Sequence, residues 1–172
     1  MSTDDTLAQL AAAGDTAAFG SLVRTHQSKM RGFLRRLTRG DAALADDLAQ
    51  ETFLEAHRKV AQYRGEGSFG SWLCGIAWSR FLMERRKRKE EPLEAAPETV
   101  GEDTHAATLA RLDLERAMAR LSAEERAALT LCYALGHSHG EAAAILSLPL
   151  GTVKSHVLRG REKLKAMLEA GS

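Results

Sequence analysis

The stretch from residue 90 to residue 108 divides the chain in two. It contains six acidic side chains and the prolines Pro92 and Pro97, with no lysine or arginine and hardly any large apolar group. A segment with so little to bury and so much like charge cannot offset the entropy of becoming ordered. The 172 residues of the chain leave room for two small domains. The sequence therefore predicts domains at 1–90 and 109–172, joined by an acidic, flexible linker at 91–108.

The composition indicates that both domains are helical. Apolar residues make up 44% of the chain, enough to form a core, whereas aromatic residues make up only 5%. The apolar residues are mostly alanine and leucine, which are strong helix formers, and the β-branched residues that favour strands are few. We therefore expect an all-α fold.

Apolar residues at helical spacing predict four helices in the first domain. Two helices lie within residues 5–39 and are separated at Gly14. A third begins after Gly40, because Gly can end one helix and the following Asp41 can cap the next. Its apolar residues are Leu44, Leu48, Phe53, Leu54 and Val60. The glycine-containing loop Tyr63–Ser68 then interrupts, and a fourth helix runs from about Phe69 to Lys89.

The second domain is predicted to contain a helix-turn-helix. A helix at Leu109–Arg120 precedes one that starts with the capping signature of Ser122 and Glu125 and continues to Gly136. Helices at Ser138–Leu146 and from Thr152 to about Leu168 flank a short turn that contains Pro149 and Gly151.

A helical wheel of the last helix separates an inward side from an outward side. The inward side carries Val153, Val157, Gly160, Leu164 and Met167, so Gly160 predicts close packing against a neighbouring helix. The outward side carries Ser155, Arg159 and Glu162, flanked by further basic residues. Such a face is typical of a helix that reads DNA, although an ordinary solvated basic face fits the same spacing.

Charge is distributed unevenly along the chain. Residues 1–19 carry a net charge of −3, residues 20–89 carry +8, residues 90–110 carry −6 and residues 111–172 carry +2. The basic block ends in the run 85–89 and indicates a polyanionic partner.

The N-terminus is acidic, and no apolar run is long enough to cross a bilayer, so we expect a cytoplasmic protein without membrane insertion.

No arrangement of residues indicates an enzyme, a cofactor or a metal. The sequence lacks a glycine-rich phosphate loop after a strand and any paired carboxylates or nucleophile–base set that can be placed together. His105, His137 and His139 match no common zinc spacing. Cys74 and Cys132 are far apart in the sequence and are expected to remain reduced thiols.

Six sequence segments, taken in order, resemble a known family. Asp46–Leu54 (DDLAQETFL), Phe69–Ala77 (FGSWLCGIA) and Arg85-Arg86 are similar to the second conserved region of the extracytoplasmic-function sigma factors of bacterial RNA polymerase. Leu121–Arg126 (LSAEER), Gly140–Ala143 (GEAA) and Gly151–Leu164 (GTVKSHVLRGREKL) are similar to their fourth region. The resemblance covers both domains in the family's order, and it implies partners: core RNA polymerase, promoter DNA and an anti-sigma factor.

The resemblance also implies roles for individual residues. The helix that docks on core polymerase would use Asp47, Gln50, Glu51 and Phe53. The start-site-proximal promoter element, held as melted single strand, would be bound by the following residues: Tyr63, Arg64, Ser68, Phe69, Trp72, Ser79, Arg80, Arg85 and Arg86. The upstream element would be read as duplex by Thr152, Lys154, Ser155, His156, Arg159 and Lys163.

Departures from the family pattern affect promoter choice. Ser79 replaces a usual asparagine, and His156 replaces a usual arginine with a weaker, pH-sensitive cation.

Two other functions compete with that of a sigma factor. One is a decoy that binds an anti-sigma protein without reading promoters, and the other is a helix-turn-helix response regulator, which would need a receiver or ligand domain in place of residues 1–90.

Overall fold

The computed structural model describes residues 1–90 and 106–171. Regular structure in these residues is helical throughout, in agreement with the expected all-α fold. None of the described helices is long and apolar enough to span a bilayer. Most of the predicted linker, residues 91–105, lies outside the described residues, so its flexibility stays a prediction.

The described chain divides into two compact units. The first contains Met1–Leu34 and residues 46–90, and the second contains Arg35–Ala45 and residues 106–171. The domain boundaries at 1–90 and 109–172 remain a prediction.

Four helices lie in the first half of the chain: α1 (Thr3–Ala12), α2 (Thr16–Leu37), α3 (Ala42–Lys59) and α4 (Phe69–Glu90). A short 3-10 turn, Val60–Gln62, extends α3. The predicted break at Gly40 is confirmed, because Gly40 has a φ of 84° and its amide donates to the Arg35 carbonyl. Asp41 Oδ1 then accepts from the Leu44 amide and caps α3.

The core of the first unit is built from large side chains of α2, α3 and α4. Those that are almost fully buried are Leu22, Phe33, Leu34, Leu48, Phe69 and Leu73. Burial of each such side chain stabilises the fold by about 1.5–3 kcal/mol. Leu54, expected among the apolar residues of α3, is instead 58% exposed.

Residues 106–171, the described part of the C-terminal half, form four α-helices: α5 (Ala106–Ala119), α6 (Ala123–Leu129), α7 (His139–Leu146) and α8 (Leu150–Ala170). The predicted capping box at the start of α6 is present, since Ser122 Oγ accepts from the Glu125 amide and the Glu125 carboxylate accepts from the Ser122 amide. After α6 the chain continues as a wider π-helical turn, Thr130–Ala134. A second capping box, Ser138 with Glu141, starts α7.

The turn between α7 and α8 differs from the expected one. Ser147 takes a left-handed conformation, with φ 53°, and ends α7. Pro149 occupies the position before the first helical residue, so α8 begins at Leu150 rather than at Thr152. Gly151 consequently lies in the first turn of α8 and not beside its cap.

The inward side of α8 matches the helical wheel at its centre. Val153, Val157 and Gly160 are buried. A Cβ at Gly160 would lie 2.8 Å from Leu129 Cδ1, so glycine at this position lets α8 approach α6 closely. The predicted close packing at Gly160 is confirmed.

Candidate nucleic-acid and partner interfaces

The outward face of α3 carries the residues expected to bind core polymerase. Asp47, Gln50 and Glu51 are exposed, and Phe53 is half-buried. Leu54 lies one turn beyond Gln50 and Glu51 on the same face, and the sequence interpretation missed it. Acidic and amide groups around a single large apolar side chain form a surface suited to a protein partner. A signal was present in the sequence, because Leu54 falls at i+4 from Gln50 and i+7 from Asp47.

The loop before α4 has an unusual backbone. Gly65 and Gly67 have φ values of 75° and 96°, which side-chain-bearing residues rarely adopt. The Tyr63 hydroxyl lies 2.6 Å from Asp5 Oδ1 and 3.0 Å from the Gly67 carbonyl oxygen. Ser68 is exposed, and its hydroxyl caps α4 by accepting from the Ser71 amide. Arg64 is exposed at the start of the loop.

Three aromatic rings are clustered at the base of this loop. The ring centroids of Tyr63, Phe69 and Trp72 lie 5.3–5.5 Å apart. Tyr63 and Trp72 are half-buried, whereas Phe69 is 1% exposed. Phe69, which was expected to contact DNA, is enclosed by the core, so its ring presents little surface to a base. It supports the two outer rings instead.

Two acidic residues of α1 lie against the same cluster. The Asp4 carboxylate is 2.8 Å from His26 Nε2, and the His26 ring is 5.5 Å from that of Phe69. Burial, followed by the hydrogen bond to Asp5, raises the pKa of the Tyr63 hydroxyl. The same hydrogen bond is the largest cause that lowers the pKa of Asp5. The raised pKa of Tyr63 and the lowered pKa of Asp5 both favour a protonated Tyr63 that donates to an ionised Asp5.

Helix α4 presents the remaining residues assigned to the start-proximal element. Ser79 and Arg86 are exposed, and Arg85 places its guanidinium 5.9 Å from the centre of the Phe81 ring. Arg80 differs, because it is half-buried and forms an ion pair with Glu55.

The Glu55 carboxylate holds two cations. Lys59 Nζ lies 2.7 Å from Glu55 Oε1, and Arg80 binds the other carboxylate oxygen. The hydrogen bonds from Lys59 and then Arg80 lower the pKa of Glu55. Arg80 therefore joins α4 to α3, and its guanidinium is less available to phosphate than that of Arg86.

The outward face of α8 carries exposed Lys154, Ser155 and Arg159. His156 is half-buried, with Nδ1 3.4 Å from Arg159 Nη2, and Thr152 is half-buried in the first turn. Ser155 donates to the Gly151 carbonyl oxygen. Two long cations with short polar side chains between them suit contact with phosphates and base edges of duplex DNA.

Lys163 is engaged within the protein. Its Nζ lies 2.9 Å from Glu125 Oε1, where the Lys163 side chain is 54% exposed and the Glu125 side chain is 3% exposed. Burial raises the pKa of Glu125, but the hydrogen bonds from Lys163 and Ser122 outweigh it, so the pKa is lowered overall. The expected role of Lys163 in DNA binding is thus shared with, or replaced by, a link between α8 and α6.

The cysteines and histidines do not form a site in the part of the chain that the structure describes. No group of three or more potential metal ligands occurs there. Cys74 is buried, and its burial raises the pKa of the thiol to about 12, so it is a poor nucleophile. Cys132 is also a free thiol.

Comparisons with known proteins match both halves of the chain. The family model for Sigma-70 region 2 matches residues 22–91, and the model for Sigma-70 region 4 matches residues 111–164. The ECF RNA polymerase sigma factor SigE of Mycolicibacterium smegmatis is 38% identical over 169 residues, an alignment that covers 91% of this chain and 65% of that protein.

A second relative and a solved structure agree with these matches. The ECF RNA polymerase sigma factor SigM of Mycobacterium tuberculosis is 33% identical over 157 residues, which cover 91% of this chain and 80% of that protein. The structure of the sigma factor RpoE with the anti-sigma factor NepR, from Bartonella quintana, has a TM-score of 0.72 and 28% identity, and covers 88% of this chain and 96% of that one. Taken with the two family models, these relatives show that the chain belongs to the ECF RNA polymerase sigma factors.

Proposed function

We propose that this sigma factor binds core RNA polymerase and directs transcription initiation from specific promoters, with residues 1–90 melting the start-proximal element and residues 109–172 reading the upstream element. Sigma factors are transcription regulators rather than enzymes. The observation that carries the proposal is the glycine loop between α3 and α4, which sets two half-buried aromatic rings beside an exposed serine and an exposed arginine.

The polymerase-binding surface is the outward face of α3. Asp47, Gln50 and Glu51 supply hydrogen-bonding groups, and Leu54 supplies the apolar group that becomes buried in the complex. Phe53 contributes a half-buried ring. A single apolar side chain surrounded by polar groups is a common arrangement for the dominant residue of an interface.

The start-proximal element is bound by the loop and by α4. Stacking of a base on the ring of Tyr63 or Trp72 stabilises an unpaired base by about 1–3 kcal/mol, comparable to the few kcal/mol needed to unstack it. Arg64 and Arg86, which are exposed, neutralise phosphates, and exposed Ser79 makes a short polar contact with a base. Arg80 and Phe69 support this surface from within the unit.

The upstream element is read by α8. Lys154 and Arg159 reach phosphates or guanine, while Ser155 and His156 make shorter contacts. The relationship to a sigma factor that was solved with an anti-sigma factor supports control of this chain by such a partner. Because a sigma factor acts on RNA polymerase in the cytoplasm, the proposal also implies a cytoplasmic location for this chain.

Run-off transcription with purified core enzyme on a library of genomic promoter fragments tests the function. A true sigma factor yields defined start sites that share two spaced elements. Binding to core enzyme without any promoter-dependent product would identify a decoy, and the proposal would then be wrong.

A further inference from the structure

The N-terminal helix contacts the loop that is proposed to receive a base. Asp5 Oδ1 lies 2.6 Å from the Tyr63 hydroxyl and 3.9 Å from the position of a Cβ at Gly65. Helix α1 thus reaches the loop at its first and third residues. It precedes residue 22, where the match to the region 2 model begins, so Asp5, unlike Tyr63, lies outside the part of the chain that matches that model.

Asp5 is held in place by its own helix. Its Oδ2 accepts from the Ser2 amide at 3.1 Å, and its amide donates to Ser2 Oγ at 3.1 Å. This capping box orients the carboxylate, which leaves Oδ1 for Tyr63. The two oxygens therefore serve two elements, one fixing the start of α1 and the other fixing the loop.

The hydrogen bond to Asp5 restricts the Tyr63 ring. The hydroxyl has one proton, and the shorter distance and the negative charge direct it to Asp5 rather than to the Gly67 carbonyl. The ring is perpendicular to that of Phe69 and lies 5.5 Å from that of Trp72. With its hydroxyl also held, the ring cannot swing away from the loop, whose two left-handed glycines provide little stiffness of their own.

We propose that Asp5 is a positioning residue for promoter recognition: by holding the Tyr63 hydroxyl, it fixes the loop Tyr63–Ser68 in the conformation that receives a base of the melted strand. This inference rests on the proposed function of the loop. The role assigned to Asp5 is exerted through Tyr63 and involves no contact of its own with the base.

A competing explanation is simple electrostatic exclusion. Asp4 and Asp5 both place negative charge at this end of α1, and such charge would weaken DNA binding wherever it stood. Asp4 provides the matched control, because it carries the same charge on the adjacent residue but pairs with His26 and not with Tyr63. The two explanations predict opposite signs for the loss of Asp5.

The experiment measures the affinity of the holoenzyme for a fluorescent single strand that carries the start-proximal element defined by run-off transcription. Variants of the full-length chain are Tyr63→Phe, Asp5→Ala, Asp5→Asn and Asp4→Asn. Tyr63→Phe keeps the ring and leaves the capping box of α1 untouched, so it tests the hydrogen bond without endangering the fold.

We expect Tyr63→Phe and Asp5→Ala each to weaken single-strand binding about fivefold, the loss expected when one hydrogen bond that orders the loop is removed. The double variant should be no weaker than either single variant, because both remove the same interaction. Asp5→Asn should lose part of the affinity, since its single amide oxygen cannot accept from both Tyr63 and the Ser2 amide, and Asp4→Asn should stay within about twofold of the unmodified protein.

Three outcomes would overturn the inference. The first is unchanged affinity in Tyr63→Phe, the second is additive losses in the double variant, and the third is tighter binding in both Asp4→Asn and Asp5→Asn, which would establish exclusion. A holoenzyme of the unmodified chain that lacks promoter-dependent transcription would overturn the proposed function as well. An active holoenzyme with an unaffected Tyr63→Phe variant would overturn only the role of Asp5.

Discussion

Two glycines of α8 occupy opposite environments. Gly160 faces Leu129 so closely that an added Cβ would lie within 2.8 Å of it, whereas a Cβ at Gly151 would meet nothing within 4 Å. Glycine is therefore required by packing at residue 160, while at residue 151 it only lowers helix propensity. The exposed position of Gly151 at the start of α8 leaves room for close approach of a DNA backbone.

Substitution by alanine should separate the two glycines. Gly160→Ala is expected to lower the free energy of unfolding by about 1–2 kcal/mol, because Leu129 must move within a packed core. Gly151→Ala is expected to leave stability unchanged or to raise it by up to about 1 kcal/mol through helix propensity. Urea unfolding of the two variants beside the unmodified chain makes the comparison. Equal effects at both residues would contradict the close packing of α6 and α8.

The ion pair between Lys163 and the buried carboxylate of Glu125 is expected to stabilise the fold. Lys163→Ala should lower the free energy of unfolding by about 1–2 kcal/mol, since it leaves Glu125 Oε1 with only its capping partner. Lys154→Ala on the outward face of the same helix is the control and should have almost no effect on stability. If both lysines behave alike, the link between α8 and α6 contributes nothing.

The same pair sets a direction for pH dependence. The pKa of Glu125 is lowered in the folded state, so its ionised form stabilises the fold above the pKa of an unfolded glutamate. This contribution should be lost as the pH falls from that value through the lower folded pKa. The difference in stability between the unmodified chain and Lys163→Ala should therefore be full at neutral pH and should shrink below about pH 4.

Substitutions on the outward face of α8 should weaken recognition of the upstream promoter element. Arg159→Ala and Lys154→Ala should each weaken holoenzyme binding to an upstream duplex by about 1–3 kcal/mol, because each removes a base or phosphate contact. Both side chains are exposed, so affinity for core polymerase should not change. Competition against a second sigma factor measures the affinity of each variant for core polymerase. Loss of core affinity in either variant would show that the surface has been assigned wrongly.

Helix α3 should behave in the opposite way. Asp47→Ala combined with Gln50→Ala is expected to reduce core association about tenfold or more, and Leu54→Ala should do the same alone, since an exposed leucine becomes buried only in the complex. The melting temperature of the free chain should hardly change. Native gel competition for core enzyme provides the measurement, and Arg159→Ala serves as the control. If the variants compete for core enzyme as well as the unmodified chain does, the polymerase-binding surface does not lie on α3.

At the scale of the whole molecule, the charge balance governs binding to DNA. The net charge is +1, because the acidic stretch at 90–110 offsets the basic residues before it. Few counterions are then released when the free chain meets a duplex. We expect weak binding of promoter duplex by the free chain and much tighter binding by the holoenzyme. A salt titration that finds tight, sequence-specific binding by the free chain would contradict this.

Local patterns determined most of the fold. The helices, the break at Gly40, the Ser122 capping box and the inward side of α8 all follow from short-range spacing, because helix formation and capping depend on residues three to four positions apart. The outward faces of α3 and α8 could be identified in the same way. A π-helical turn at Thr130–Ala134 and the exact start of α8 escaped this reasoning, since neither has a distinct local signature.

Only the tertiary structure decided which polar and aromatic groups are available to partners. Phe69 belongs to an aromatic motif yet is enclosed by the core, Arg80 and Lys163 belong to basic faces yet are held by Glu55 and Glu125, and Leu54 is exposed. The pairing of Asp5 with Tyr63 joins residues 58 positions apart. Ion pairs and hydrogen bonds between distant residues leave no periodic trace in a sequence, because they depend on how helices pack and not on the spacing within any one of them.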